Sequence, residues 1–131
     1  MARPLRTGLI YFNIDANRYQ NTKIKRLKHS YGVAGLAVYD YVLCQIYGDE
    51  GCYLEWDDVA RFNVTEYLNV KETLVQEIIK YCAYVGLFDK ELLSRGIITS
   101  ASIQERYIFI CKNARRKGID KLIPKQIKLI A

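Results

Sequence analysis

The residue types able to do chemistry are few and scattered. His29 is the single histidine, and it sits among Lys23, Lys25, Arg26 and Lys28 near a helix end. A favourable interaction with the helix C-terminus accounts for it without catalysis. Cys44, Cys52, Cys82 and Cys111 lie far apart. A nucleophilic thiol would need a neighbouring histidine and a third group to orient it, and the sequence offers neither. Zinc would need paired ligands such as CxxC or HxxxH, which are absent. The pairs Asp49-Glu50 and Asp57-Asp58 flank a turn and a helix start, where solvent and the helix dipole explain them. There is no phosphate-cradling glycine loop and no GxSxG. The expectation is a protein that is not an enzyme, with no cofactor and no metal.

Charge is more informative. The net charge of +6 hides a division along the 131 residues. Residues 1–30 carry seven Lys/Arg against Asp15 alone, residues 31–94 carry four against eleven Asp/Glu, and residues 95–131 carry nine against two. Both ends are cationic and the middle is acidic. One basic cluster is Lys23, Lys25, Arg26 and Lys28. The other is Arg106, Lys112, Arg115, Arg116 and Lys117, with Lys112, Arg115 and Arg116 placed on one side of a last helix by i, i+3, i+4 spacing. Side by side, the clusters would bind phosphates; kept apart, they are solvated faces.

The elements that must position these groups follow from pattern. Half of the residues are hydrophobic and a quarter charged, a globular profile that fits one domain. "GLIYFNID" (8–15) reads as an extended arm. Asn21 caps a basic helix that Gly32 ends, and Val33 to Tyr47 is a helix apolar on every side, hence the hub of the fold. "GDEG" turns into a short strand, "CYLEW". Asp57 caps a helix to Tyr67. Asn69 and Glu72 read as a capping box opening a helix from Val70 to Val85, which Gly86 stops. "LFDKELLSRGIITS" reads as a hairpin with strands near 87–88 and 97–99 and a polar tip carrying Lys90 and Arg95. A last helix starts near Ser100 and buries Ile103, Tyr107, Ile110 and Cys111. No signal peptide is visible, the Val33–Tyr47 helix is too short to span a bilayer, and scattered thiols suit a reducing compartment. The expected location is the cytoplasm.

This order is mainly α with a small β-sheet (α+β), and it matches a winged helix-turn-helix with an extra N-terminal helix and arm and a C-terminal helix. The expected layout is an arm over 1–20, a winged-helix domain with flanking helices over 21–117, and a basic tail over 118–131. The blocks "YFNIDAN", "KIKRLKHSYGVAGLAVYDYVL", "GCYLEW", "VGLFDKEL" and "ITSASIQERY" also resemble a known N-terminal domain. It occurs in many phage-like and mobile-element proteins of Gram-positive bacteria and Bacteroidetes, and is related to the N-terminal part of the DnaD replication-initiation proteins. The resemblance covers about residues 9–117. It implies a winged helix that assembles into oligomers, with much of the DNA binding carried by a separate C-terminal region, and it supplies no catalytic residue.

In a helix-turn-helix the recognition helix would offer Lys71, Thr73, Gln76 and Lys80, but Glu72 and Glu77 interrupt them. Such a neutral face suits solvent or a protein contact better than phosphate. The tyrosines Tyr39, Tyr41, Tyr47, Tyr81 and Tyr84 exceed what one small core can hold, which points to a homo-oligomer. The arm could add a strand to a neighbour's edge. The expected function is a non-catalytic module of a replication-initiation or mobile-element protein that self-assembles and binds DNA without regard to sequence, with other replication proteins as further partners. Two other readings remain open: a sequence-specific transcription regulator, and an assembly domain with no DNA contact.

Overall fold

The computed structural model describes residues 7–131, so residues 1–6 of the expected arm lie outside the described residues. Asn21 opens the first long element through a local cap, its side chain accepting from the Lys23 amide at 2.8 Å. From there α1 (Thr22–Gly48) runs to the far end of the domain, changing direction at Gly32, whose φ of 65° and ψ of −152° lie outside helical space. A Cβ at Gly32 would meet nothing within 4 Å, so the backbone conformation, not crowding, calls for glycine there. The expected division of this stretch into two helices at Gly32 is therefore present.

Beyond Gly32, α1 is the hub. Val38, Val42 and Ile46 are fully enclosed and Tyr39, Leu43 and Tyr47 nearly so, while Val33 and Cys44 face outward. A short turn leads to β1 (Leu54–Glu55). The Asp57 side chain then accepts from the Ala60 amide at 2.9 Å and opens α2 (Asp58–Leu68).

Asn69 does not open the next helix. It closes α2 in the left-handed conformation, φ 55° and ψ 44°, which asparagine tolerates better than most residues. The N-cap of α3 (Glu72–Tyr84) is Lys71, with no side-chain cap bond. Glu72 is thus the first helical residue and cannot close a capping box. Val75, Ile78, Ile79 and Cys82 of α3 are buried, and α3 packs along α1 and α2. Gly86 stops the helix as expected, with φ at 92°.

The hairpin expected over 87–99 is absent. Leu87 and Phe88 form no strand. The Asp89 side chain accepts from the Leu92 amide at 2.9 Å and starts a short helix, α4 (Lys90–Ser94). Only β2 (Ile97–Ile98) follows, and it pairs antiparallel with β1, Leu54 opposite Ile98 and Glu55 opposite Ile97. Among the described residues the sheet has two strands, not the three that a wing plus β1 would make. The local sequence explains the difference: Lys-Glu-Leu-Leu after a capping aspartate favours helix over a strand and polar tip.

Ser100 caps α5 (Ala101–Asn113) by accepting from the Ile103 amide at 3.1 Å. Ile103, Gln104, Tyr107 and Cys111 are buried by this helix and Ile110 only partly. The last residues, 118–131, pack against the body. Leu122, Ile123 and Ile127 are buried. The fully enclosed Gln104 side chain ties them down, donating to the Ile127 carbonyl at 2.8 Å and accepting from the Leu129 amide at 2.7 Å. Architecture is thus mainly α with a small antiparallel sheet, and one core cluster is built around the packing of α1 on α3, to which the other helices add side chains.

Candidate nucleic-acid and assembly surfaces

The arm decides where many of the cations go. Residues 7–15 carry no strand. They lie in extended form along their own chain, with the Leu9 amide bonded to the Tyr47 carbonyl at 2.7 Å and the Phe12 ring stacked on Tyr47 at 4.4 Å between centroids. Leu9 is buried. Gly8 passes so close to the end of α1 that a Cβ would stand 2.3 Å from the Gly48 carbonyl oxygen. Tyr107 donates its hydroxyl to the Thr7 carbonyl at 2.7 Å.

Two members of the second basic cluster hold this arm. Arg106 donates to the Asn13 carbonyl at 2.7 Å and pairs with Asp15 at 3.2 Å. Arg116 donates to the Thr7 and Gly8 carbonyls at 3.2 and 2.8 Å. The helical spacing expected for Lys112, Arg115 and Arg116 does not occur, because α5 ends at Asn113. Arg115 adopts φ 54°, and the chain turns back through bonds from the Arg115 and Arg116 amides to the Lys112 and Cys111 carbonyls. Lys112, Arg115 and Lys117 remain exposed.

The first cluster stays together on the opening turns of α1. Lys23, Lys25, Arg26 and Lys28 are all exposed, while Ile24 and Leu27 between them point into the core. Lys23 reaches the Gly86 carbonyl at 3.3 Å, and the Arg26 guanidinium lies 5.8 Å from the centre of the Tyr84 ring. Lys25, Arg26 and Lys28 make no ion pair among the described residues. The first turn of α1 contains no acidic residue, so side-chain charge adds to the positive end of the helix dipole instead of offsetting it.

The two clusters share one cleft, to which each contributes one cation. Lys23 and Arg106 line this cleft of about 580 Å³, together with Arg18, Asn21, Tyr39 and Ser100 among others. The cations there are engaged from within. Arg18, which the sequence did not single out, pairs with Asp40 and lies over the Tyr39 ring at 5.4 Å. Burial pushes the Tyr39 hydroxyl up to about 12 despite the opposing effect of Arg18.

On α3, Lys71, Thr73 and Lys80 are exposed and Gln76 is half-buried, with Gln76 donating to Glu72 at 3.5 Å. Glu72 also faces Arg61 at 3.5 Å. Lys90 begins α4, and Arg95, at its end, donates to the Gln126 carbonyl at 3.1 Å, so neither stands on a wing hairpin.

The interface tyrosines fall differently from expectation. Tyr39 and Tyr47 belong to the core, Tyr41 and Tyr81 are half-buried, and Tyr84 alone of the five is exposed. Other large exposed apolar residues are spread over the arm (Ile10, Tyr11 and Ile14), Tyr19, α1 (Val33), α2 (Val59, Phe62 and Tyr67), α5 (Phe109) and Leu129. On α2 they stand at 59, 62 and 67, positions that the sequence did not single out.

Cys52 and Cys82 are buried, and burial lifts both thiols to about 12. They stay protonated at neutral pH, without the thiolate that nucleophilic chemistry uses. No group of three or more His, Cys, Asp or Glu that could hold a metal occurs among the described residues. Nor is any helix among them long and apolar enough to cross a membrane.

Comparison with known proteins gives two matches and one absence. Residues 11–103 match the family model described as Lin1244/Lin1753-like, N-terminal. The chain is 31% identical over 120 residues to an uncharacterized phage-related protein, Lin1244/Lin1753, of Listeria innocua serovar 6a. That alignment covers 91% of this chain but 39% of the relative, so the chain spans about two fifths of the relative's length. No solved structure matches.

Proposed function

The chain belongs to the Lin1244/Lin1753-like N-terminal family, and from that premise we propose that it is a non-catalytic winged-helix module of a phage-type replication or mobile-element protein. In this reading it is cytoplasmic, binds DNA without regard to sequence and assembles with itself. The helix-turn-helix is α2 and α3, joined at Asn69. Strands β1 and β2 form the small sheet, and α4 stands where a longer wing would project. The likeness to DnaD-type initiation proteins adds to this reading, as does the phage-related description of the relative.

One observation carries the DNA-binding part. Lys25, Arg26 and Lys28 project from the first turns of α1 with no acidic residue to offset them. Cations at that end work against the dipole and cost helix stability, so a role outside the helix accounts for them better than helix formation does. Backbone phosphates suit both the cations and the amide-rich helix start. Tyr84, beside Arg26, adds an aromatic face. Three or four such cations predict a salt slope of about −3 in log K against log salt. Titrating a labelled duplex of random sequence at several salt concentrations tests this. Binding that weakens steeply with salt and ignores sequence supports it, and no binding at low salt refutes it.

A second reading, assembly without DNA contact, draws on Arg106 and Arg116. Both are committed to the arm, which removes them from any phosphate surface. It predicts self-association with no duplex binding in the same titration.

A further inference from the structure

We propose that copies of this chain join head to tail, the outer face of α2 on one copy seating against the arm and α5 of the next. The proposal rests on the self-assembly part of the function above and names the surfaces that carry it.

The outer side of α2 mixes large apolar side chains with acids. Val59, Phe62 and Tyr67 are 67%, 63% and 74% exposed, an unusual amount of large apolar surface for eleven residues. Asp58 and Glu66 lie on the same helix and are exposed. Val59 also borders a shallow groove of about 150 Å³ lined by Asp49, Glu50, Glu55 and Asp57. The one cation on this helix, Arg61, is taken up by Asp58 and Glu72.

The opposite character appears on the arm and α5. The arm runs antiparallel to α5, with Asn13 and Asp15 at Arg106 and Thr7 and Gly8 at Arg116. Ile10 and Tyr11 therefore pass beside the turns that carry Phe109 and Lys112. Ile10 is 89% exposed, and Tyr11 and Phe109 are exposed as well. Lys112, Arg115 and Lys117 are exposed nearby. Acids on or next to these elements are Glu105, Asp120 on the turn packed against α5, and Asp15, which Arg106 engages.

Charge chooses the pairing. Two α2 faces brought together would set acids against acids, and two arm faces would set Lys112 and Arg115 against their own copies. Only the unlike pairing places apolar residues on apolar residues and cations on carboxylates. An unlike contact between identical chains is heterologous, so it propagates until a ring closes or a filament forms. Lys25, Arg26 and Lys28 stand on α1, which is neither of the two paired elements.

The test uses sedimentation velocity on three proteins, with the folded state of each variant checked by its thermal melt. The wild type should associate. Phe62→Ser/Tyr67→Ser and Ile10→Ser/Phe109→Ser should each weaken association more than about tenfold, because each removes central apolar anchors. Mixed together, these two variants should form a one-to-one complex that grows no further, since each retains the face the other lacks. If the wild type associates and either variant associates equally well, or the mixture stays monomeric, head-to-tail joining is wrong while self-assembly stands. A wild type that remains monomeric overturns both. Duplex binding by both variants, unchanged from wild type, reports on the DNA reading separately.

Discussion

Arg116 donates to the carbonyl oxygen of Gly8 at 2.8 Å, joining residues 108 positions apart in the chain. Its second bond, to Thr7, shares that carbonyl with the Tyr107 hydroxyl. A cation that charge patterning assigns to a polyanion is thus occupied by the protein's own backbone. The arm in turn covers Tyr47 and the end of α1.

Replacing Arg116 with Ala should therefore loosen the arm. Losing charge-assisted bonds at a half-buried site costs about 1.5–3 kcal/mol. Urea denaturation should show that loss, and limited proteolysis should cut within residues 7–15. Duplex affinity should change less than about twofold. An unchanged unfolding midpoint with strongly reduced duplex binding would reverse the assignment and make Arg116 a phosphate contact.

Gln104 is the corresponding clasp for the last residues. Gln104→Leu removes the partners of the Ile127 carbonyl and the Leu129 amide. Leaving such groups unpaired costs about 1–3 kcal/mol each, although access to water at the loosened segment reduces this. The expected result is a loss of about 2–4 kcal/mol in denaturation, with faster amide exchange confined to residues near 122–129. Uniform exchange across the protein would contradict a local clasp.

Stability should fall on the alkaline side. Burial raises Cys52 and Cys82 from 9.0 to about 12 and Tyr39 from 10.0 to about 12. Above pH 9 the unfolded chain gives up protons that the folded chain retains, so the unfolded state gains and stability declines through the window from about 9 to 12. Each such group contributes a slope near 1.4 kcal/mol per pH unit inside its own window. Denaturant midpoints at pH 7, 9 and 10.5 should be level over the first step and lower at the last. A flat profile to pH 10.5 would mean these groups are hydrated in the folded protein.

Local chemistry was legible in the sequence; distant contacts were not. Asn21, Asp57 and Ser100 cap helices through amides two or three residues away, so the information sits in adjacent residues. Asn69 misled because asparagine suits both a helix start and a left-handed helix end, and only the surrounding packing selects between them. The absent hairpin is similar. Ile97 and Ile98 do form a strand, but their partner is Leu54-Glu55, more than forty residues away. Asp89 followed by Lys-Glu-Leu-Leu carried a helix start that apolar runs on either side obscured.

The candidate surface divides in the same way. Lys25, Arg26 and Lys28 fall within about one turn of one helix, and sequence was enough to group them. Arg115 and Arg116 were grouped with Lys112 by assuming a helix that ends at Asn113. Nothing in "KNARRKG" announces the left-handed turn at Arg115, and the destination of Arg116 depends on an arm encoded a hundred residues earlier.

The most direct test of the DNA-binding account is duplex affinity of the triple variant Lys25→Ala/Arg26→Ala/Lys28→Ala at low salt, measured by fluorescence anisotropy beside the wild type. All three side chains are exposed, so the fold should persist. The account predicts a loss of at least about thirtyfold and a salt slope shallower by about 3. Equal affinity and an equal slope would contradict it.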